Sequence, residues 1–404
     1  MYLLLRGLPL LFWYLYQMSM RYPEIPYPIH WIDTNEALLE LSNQLAFVRL
    51  LAIDTEFDRF RRKYGINLEL IQLFDGEAVY LIRVGALSNL LSLKPIIENP
   101  AVIKLLYSGS EDIQVFKVNG IAPKGVYDLQ PASQLSGFSA MSLAGLLQEV
   151  LGVSFDKSKQ TSDWSKPQLD REQIVYAAND VIYLVPLYNQ IKEGAARFCT
   201  TDFINEENAL LEVVEVSETK PRLKQRHREN FNRHEQALIL ELMHVRDGLG
   251  QILNKPPHFV LSDGHIEDIV SRRDNYAGTE QLKAYSAFFR RGYDFLSKAD
   301  RDIRAALTMP WPPPKTVHAR NDLPRLQKVV LSNEKIEDLL QSYTLYLNEQ
   351  YVESVATYLC NGIRRYLREL MAGADDFNFP PYRRKLFHQY LNTSGFDLNQ
   401  LVEA

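Results

Sequence analysis

Five residues carry the chemistry available to this chain: Asp54 and Glu56, then Asp112, then Tyr176 and Asp180. Four carboxylates drawn into one place repel by about 4 kcal/mol per pair at ~4 Å and an effective dielectric near 20, so a fold that gathers them must supply protons or cations. Oxygen-only donors select hard ions, Mg²⁺ or Mn²⁺. Two such ions, roughly 3.5–4 Å apart, would clamp the attacking water and the leaving 3′-oxygen of a phosphodiester in an in-line displacement. A phenol four residues before the last acid can orient that water.

The flanking residues say how these side chains could converge. Val48 to Phe57 is an apolar run without Gly or Pro that ends in acid, the pattern of a buried strand. Side chains alternate along a strand, so Asp54 and Glu56 share a face. A second apolar stretch from Ile103 breaks at Ser108-Gly109, and a helix is predicted to start there, placing Asp112 at a strand-to-helix turn where open α/β sheets hold their ligands. Asp170 to Leu184 reads as a helix, and a gap of four puts Tyr176 and Asp180 on one face of it. Each piece alone has a plain reading: a common Asp-Thr-Glu triplet, a helix-capping Ser-Glu-Asp, a core tyrosine beside a solvated acid. Their joint order, each at the expected end of an element, favours the metal-dependent nuclease.

The likeness extends beyond the acids. Residues from about Trp31 to Tyr188 resemble the exonuclease domain of ribonuclease D, of the DEDDy class. Matching segments are Leu70-Ile-Gln-Leu-Phe-Asp-Gly-Glu77, Ser108-Gly-Ser-Glu-Asp112, Val126-Tyr-Asp-Leu-Gln130, Ser142-Leu-Ala-Gly-Leu-Leu147, and Leu151 to Lys159 running into Ser162-Asp-Trp-Ser165. The resemblance implies an α/β RNase H-like fold, a mixed central sheet flanked by helices, in which Asp54, Glu56, Asp112 and Asp180 hold two divalent ions and Tyr176 aligns the water. It also implies 3′-to-5′ removal of nucleoside monophosphates from RNA, with tRNA precursors as the expected substrate. Tyr107 and Arg83 depart from the family pattern, which often has His and Asp there. Neither is a metal ligand in this reading.

Further candidates surround the five. Phe57 could stack on the terminal base, worth about 1–3 kcal/mol at such sites, or be a core phenylalanine. Gln72 and Ser108 are candidate substrate contacts, while Asp128 reads as a cap or turn acid. Trp164 and Lys157 lie on the loop before the last motif, which could fold over the scissile end or stay solvated.

Length, 404 residues, predicts two or three domains. Hydrophobic residues at 46% and charged residues at 24% suit a globular chain. Net charge is −5 with a pI near 6.0, so RNA binding must rest on local basic patches and on metal ions. The two cysteines, Cys199 and Cys360, argue for a reducing, cytoplasmic setting without disulfides or zinc. No Gly-rich phosphate loop occurs, so neither a nucleotide cofactor nor an ATP-driven activity is indicated. A monomer is the expected state.

Residues 1–24 form an extension whose apolar run, residues 2–16, is interrupted by Arg6 and Pro9 and is short of the ~20 residues a membrane span needs. It is expected to be a start-site artefact or a disordered segment in preference to an anchor, and a chain beginning at Met18 or Met20 should keep full nuclease activity. Residues 25–195 form the expected exonuclease domain, and 196–231 a linker with a basic helix containing Lys220, Arg222, Lys224, Arg226, Arg228 and Arg233 at its border. Residues 232–308 resemble a helicase-and-RNase-D C-terminal (HRDC) module, with a helix from Glu235 to Arg246, a Pro-Pro break at 256–257, and a second helix capped by Ser262 or Asp263. There Arg272, Arg273, Lys283, Arg290 and Arg291 are candidate phosphate contacts, against a plain reading as solvated charges. A stiff Pro-rich linker over 309–319 precedes a C-terminal helical region, 320–404, that by position would be a diverged second HRDC-like module. Two other functions compete with the exoribonuclease: a catalytically silent RNA-binding scaffold, which has no reason to keep a repulsive acid cluster, and a DNA-directed 3′-5′ exonuclease, which metal chemistry alone does not distinguish.

Overall fold

The computed structural model describes residues 25–154, 158–216, 221–290, 292–310, 332–371 and 379–401. The expectations for residues 1–24, Lys157, Lys220, Arg291 and most of the Pro-rich linker fall outside them.

Six strands build one mixed sheet in the order β1-β4-β3-β2-β5-β6. They are β1 (Ile29–Ile32), β2 (Leu50–Arg59), β3 (Ile66–Phe74), β4 (Val79–Arg83), β5 (Ile103–Leu106) and β6 (Val126–Asp128). The pairs β1–β4, β2–β5 and β5–β6 are parallel, and β3–β4 is antiparallel. Register fixes the faces. Ala52 pairs Leu105, Leu105 pairs Tyr127, and Leu81 pairs both Trp31 and Gln72, so these side chains lie on one side of the sheet. All but Gln72 join one apolar core. Asp54 and Glu56 continue the phase of Ala52 on β2 and so extend this same face. On the other face, Lys104 is fully buried, its ammonium donating to the carbonyls of Ile96, Asn99 and Val102.

Short helical turns aside, helices follow as α1 (Asn35–Gln44), α2 (Ser110–Val118), α3 (Leu129–Leu135), α4 (Leu143–Leu151), α5 (Arg171–Ile182), α6 (Leu184–Phe198) and α7 (Thr201–Glu212). Their starts follow local chemistry. Asp170 accepts from Gln173 N at 2.8 Å while the Gln173 side chain accepts from Asp170 N, a reciprocal cap that fixes where α5 begins. The predicted linker over 196–231 is thus partly structured: α6 runs on to Phe198, and α7 follows it.

The chain divides into two compact units. The first comprises, among the described residues, 25–56, 69–216 and 332–401; the second takes 57–68 with 221–310. In the second unit α8 (Arg233–Leu253), α9 (Asp263–Ser271), α10 (Thr279–Tyr285) and α11 (Tyr293–Leu307) enclose a core of residues such as Leu238, Leu242, Ile266, Phe289 and Ile303. Ser262 caps α9, as expected from the sequence. Within this unit the Tyr64 hydroxyl donates to Asp247 at 2.7 Å. The final helices, α12 (Asn333–Asn348), α13 (Glu353–Cys360), α14 (Ile363–Met371) and α15 (Pro381–Ser394), do not form a body of their own. Their apolar side chains, among them Tyr343, Leu359 and Phe387, share a core with Leu129, Leu187 and Ile204 of the sheet-bearing unit. Among the described residues, no helix is long and apolar enough to cross a membrane.

Candidate active site

The acids converge. Carboxylate oxygens of Asp54, Glu56 and Asp180 lie within 4.8 Å of one another. β2 supplies the first two, at alternate positions, and α5 supplies the third. Tyr176, one turn earlier on α5, hydrogen bonds to Asp180 through its hydroxyl. Asp112 stands in the first turn of α2, beside this triad, and the Thr55 hydroxyl between the two β2 acids donates to one of its oxygens. Asp112 and Asp180 are each less than a tenth exposed.

Crowding and burial leave a clear electrostatic mark. Burial first, then the charges of Asp180, Asp112 and Glu56, hold Asp54 well above the usual carboxylate range. Burial with the same two aspartates pushes Glu56 up to about 9. For Asp180, burial outweighs the hydrogen bond from Tyr176 and raises it to about 8. Asp112 rises less, to about 6, because the Thr55 hydroxyl and a backbone N–H offset part of its burial. The Tyr176 phenol is also pushed up, by burial and then by Asp180, Glu56 and Asp54, so it remains a proton donor. Without a cation this cluster must hold protons near neutral pH. An all-oxygen donor set of this kind fits hard divalent ions.

The remaining sequence candidates separate. Phe57 follows on β2, half-buried. Ser108 is exposed on the turn before α2, in a left-handed backbone conformation (φ 59°). Gln72 is fully buried, with neither amide atom partnered. Trp164 is also buried, its ring centroid 6.0 Å from that of Tyr176, so it backs the phenol and does not offer a free stacking face. In the second unit Arg272 pairs with Asp268 at 2.9 Å and Arg273 with Glu235 at 3.7 Å. Val175, Tyr176 and Asn179 of α5 also border a cavity of about 550 Å³ edged by Lys159 and Arg171. Sequence reasoning missed Thr55, whose partner is distant in the chain.

A family model described as 3′-5′ exonuclease matches residues 29–195. Ribonuclease D of Acidiphilium cryptum (strain JF-5) is 31% identical over 279 residues, covering 67% of this chain and 70% of that protein. This chain belongs to the ribonuclease D family. It is accordingly a 3′-5′ exoribonuclease, a phosphodiester hydrolase. Ribonuclease D of Escherichia coli (strain K12) is 39% identical over 158 residues, which is 39% of this chain and 42% of that protein. The fold is shared over a longer span: the crystal structure of Escherichia coli RNase D superposes with a TM-score of 0.64 at 24% identity, covering 90% of this chain and 99% of that one. A protein from Bifidobacterium adolescentis superposes with a TM-score of 0.65 at 20% identity, covering 90% and 96%.

Proposed function

We propose that this chain removes nucleoside 5′-monophosphates one at a time from RNA 3′ ends by two-metal hydrolysis, with tRNA precursors as its substrates and the cytoplasm as its place of action. The observation that carries the reading is the cluster of Asp54, Glu56, Asp112 and Asp180, each carboxyl raised by burial, with the Tyr176 hydroxyl on Asp180. Two Mg²⁺ or Mn²⁺ ions held by these acids would lower the pKa of the attacking water and stabilise the leaving 3′-oxygen. The chain's own residues do the rest. Thr55 holds Asp112 by one of its carboxylate oxygens. Tyr176, kept protonated, orients the water by hydrogen bonding, with its ring braced by Trp164. Phe57 is the stacking candidate for the terminal base, and Arg272 and Arg273 are phosphate candidates on the helical unit.

Degradation of matched RNA and DNA oligonucleotides with Mg²⁺, Mn²⁺ or EDTA tests this, beside a chain carrying Asp54→Ala and Asp180→Ala. The expected result is stepwise shortening of RNA from its 3′ end, abolished by EDTA and by the double substitution. Activity persisting in either case would refute metal catalysis at this cluster, and equal or faster loss of DNA would refute the RNA assignment.

A further inference from the structure

The helix that carries Asp112 is held at both ends by groups outside the acid cluster, and these lead to the C-terminal helices. At its start, Ser108 is a non-glycine residue at φ 59°, a conformation that costs roughly 1–2 kcal/mol for an L-residue and persists only when its surroundings impose it. Asp128 imposes it. Its carboxylate, 5% exposed, accepts from Ser108 N at 2.8 Å and Gly109 N at 2.9 Å, and also from Gln130 N at 2.9 Å. Gly109 has no room for a side chain, since a Cβ there would sit 2.7 Å from that of Leu106. The turn is thus packed closely on β5 and leads directly into the first turn of α2.

Asp128 is itself anchored by α7. Its N–H donates to the Asn208 side chain at 3.0 Å, and on the same strand Val126 N donates to Glu212 at 3.2 Å. The far end of α2 meets the same helix, where Lys117 donates to the carbonyls of Glu212 at 2.8 Å and Val214 at 2.6 Å. α7 in turn is fixed by the C-terminal helices. One oxygen of Glu207, next to Asn208, accepts from Tyr358 at 3.1 Å, Tyr382 at 2.7 Å and Arg383 at 2.8 Å. The Arg383 guanidinium also stacks over Tyr358 at 4.3 Å and donates to the Asn361 carbonyl at 2.9 Å.

We infer that Asp128 is a positioning residue for the metal site, setting Asp112 through the Ser108-Gly109 turn, and that α7 with the Glu207–Arg383 node makes the C-terminal helices part of that support. The inference rests on Asp112 being a metal ligand, as proposed above. Groups that orient metal ligands typically change metal affinity by about 10–100-fold when lost. Asp128→Asn keeps the shape but replaces one of the two oxygens that accept from Ser108 N and Gly109 N with an NH₂ group, which leaves a turn amide without its acceptor.

Mn²⁺ binding to the full chain, read from the free Mn²⁺ electron paramagnetic resonance signal, tests this. Asp128→Asn is expected to weaken binding at least tenfold, while kcat at saturating Mn²⁺ stays close to wild type. Adding Ser108→Gly, which removes the cost of the left-handed turn, should restore much of the affinity. Asn208→Ala, a milder change for use where Asp128→Asn fails to fold, should weaken binding in the same direction by a smaller factor. Unchanged Mn²⁺ affinity in whichever of these folds, even with a lowered melting temperature, would reduce Asp128 to a fold-stabilising cap and overturn the inference. A loss of affinity that Ser108→Gly leaves untouched would overturn the route through the turn. Failure of the underlying reading has a separate signature: the unsubstituted chain would bind no Mn²⁺.

Discussion

The acid cluster should make the cation-free protein lose stability as pH rises through neutrality. Asp180 is raised from an ordinary value of 3.8 to about 8. The folded chain therefore binds a proton there that the unfolded chain has already released, and between those two values each pH unit costs about 1.4 kcal/mol. From pH 6 to pH 8, allowing for half-titration at the upper limit, Asp180 alone accounts for about 2 kcal/mol. For a domain of this size that is a fall in melting temperature of roughly 4–8 °C. Glu56, raised to about 9, acts in the same direction. The assay is calorimetric melting in EDTA at pH 6 and pH 8, repeated with saturating Mn²⁺ and with Asp180→Asn. The wild type in EDTA should melt lower at pH 8. Mn²⁺ should abolish the difference by taking the place of the protons, and Asp180→Asn, neutral throughout, should shrink it. If wild type and Asp180→Asn show the same pH dependence in EDTA, the carboxyl is not raised and the electrostatic account of the site fails.

Two substitutions test the site and its scaffold separately. Tyr176→Phe removes the donor to Asp180 and the group that orients water, so single-turnover cleavage should slow by about 10²-fold with Mn²⁺ affinity largely kept; wild-type rates would strip Tyr176 of its role. Lys104→Met leaves the carbonyls of Ile96, Asn99 and Val102 without their shared donor, an expected loss of about 2–3 kcal/mol in urea unfolding with nuclease activity per folded molecule unchanged.

What could be read from the chain alone was whatever depends on neighbours in sequence. Strand alternation pairs Asp54 with Glu56, helical spacing pairs Tyr176 with Asp180, and the Ser-Gly break before Asp112 marks the turn. All three appear where expected. The contacts that tie these pieces together were not readable. Thr55 and Asp112 are 57 positions apart and Asp128 and Asn208 are 80 apart, and neither serine-like nor asparagine-like chemistry announces so distant a partner. α7 escaped notice because Ile204 and Asn208 are its only buried side chains, leaving a polar stretch that looks like linker. The C-terminal region was expected to be helical and is so in α12 to α15, but an apolar stripe does not say what will cover it. Here its partner is the exonuclease core, over a hundred residues upstream.

That return of the chain sets a schedule for synthesis. The sheet-bearing unit is begun by residue 25 and left at 216, yet its core includes Ile336, Tyr343, Phe387 and Leu401. At roughly 5–20 residues per second, a ribosome needs on the order of 10–40 s to travel from residue 216 to residue 401. Through that interval the apolar face awaiting these helices stays uncovered, and the buried node at Glu207 lacks Arg383. The core of the sheet-bearing unit is complete only once residue 401 has been made, so a shorter nascent chain, tethered to a particle made largely of RNA, carries the acid cluster without the Glu207–Arg383 node.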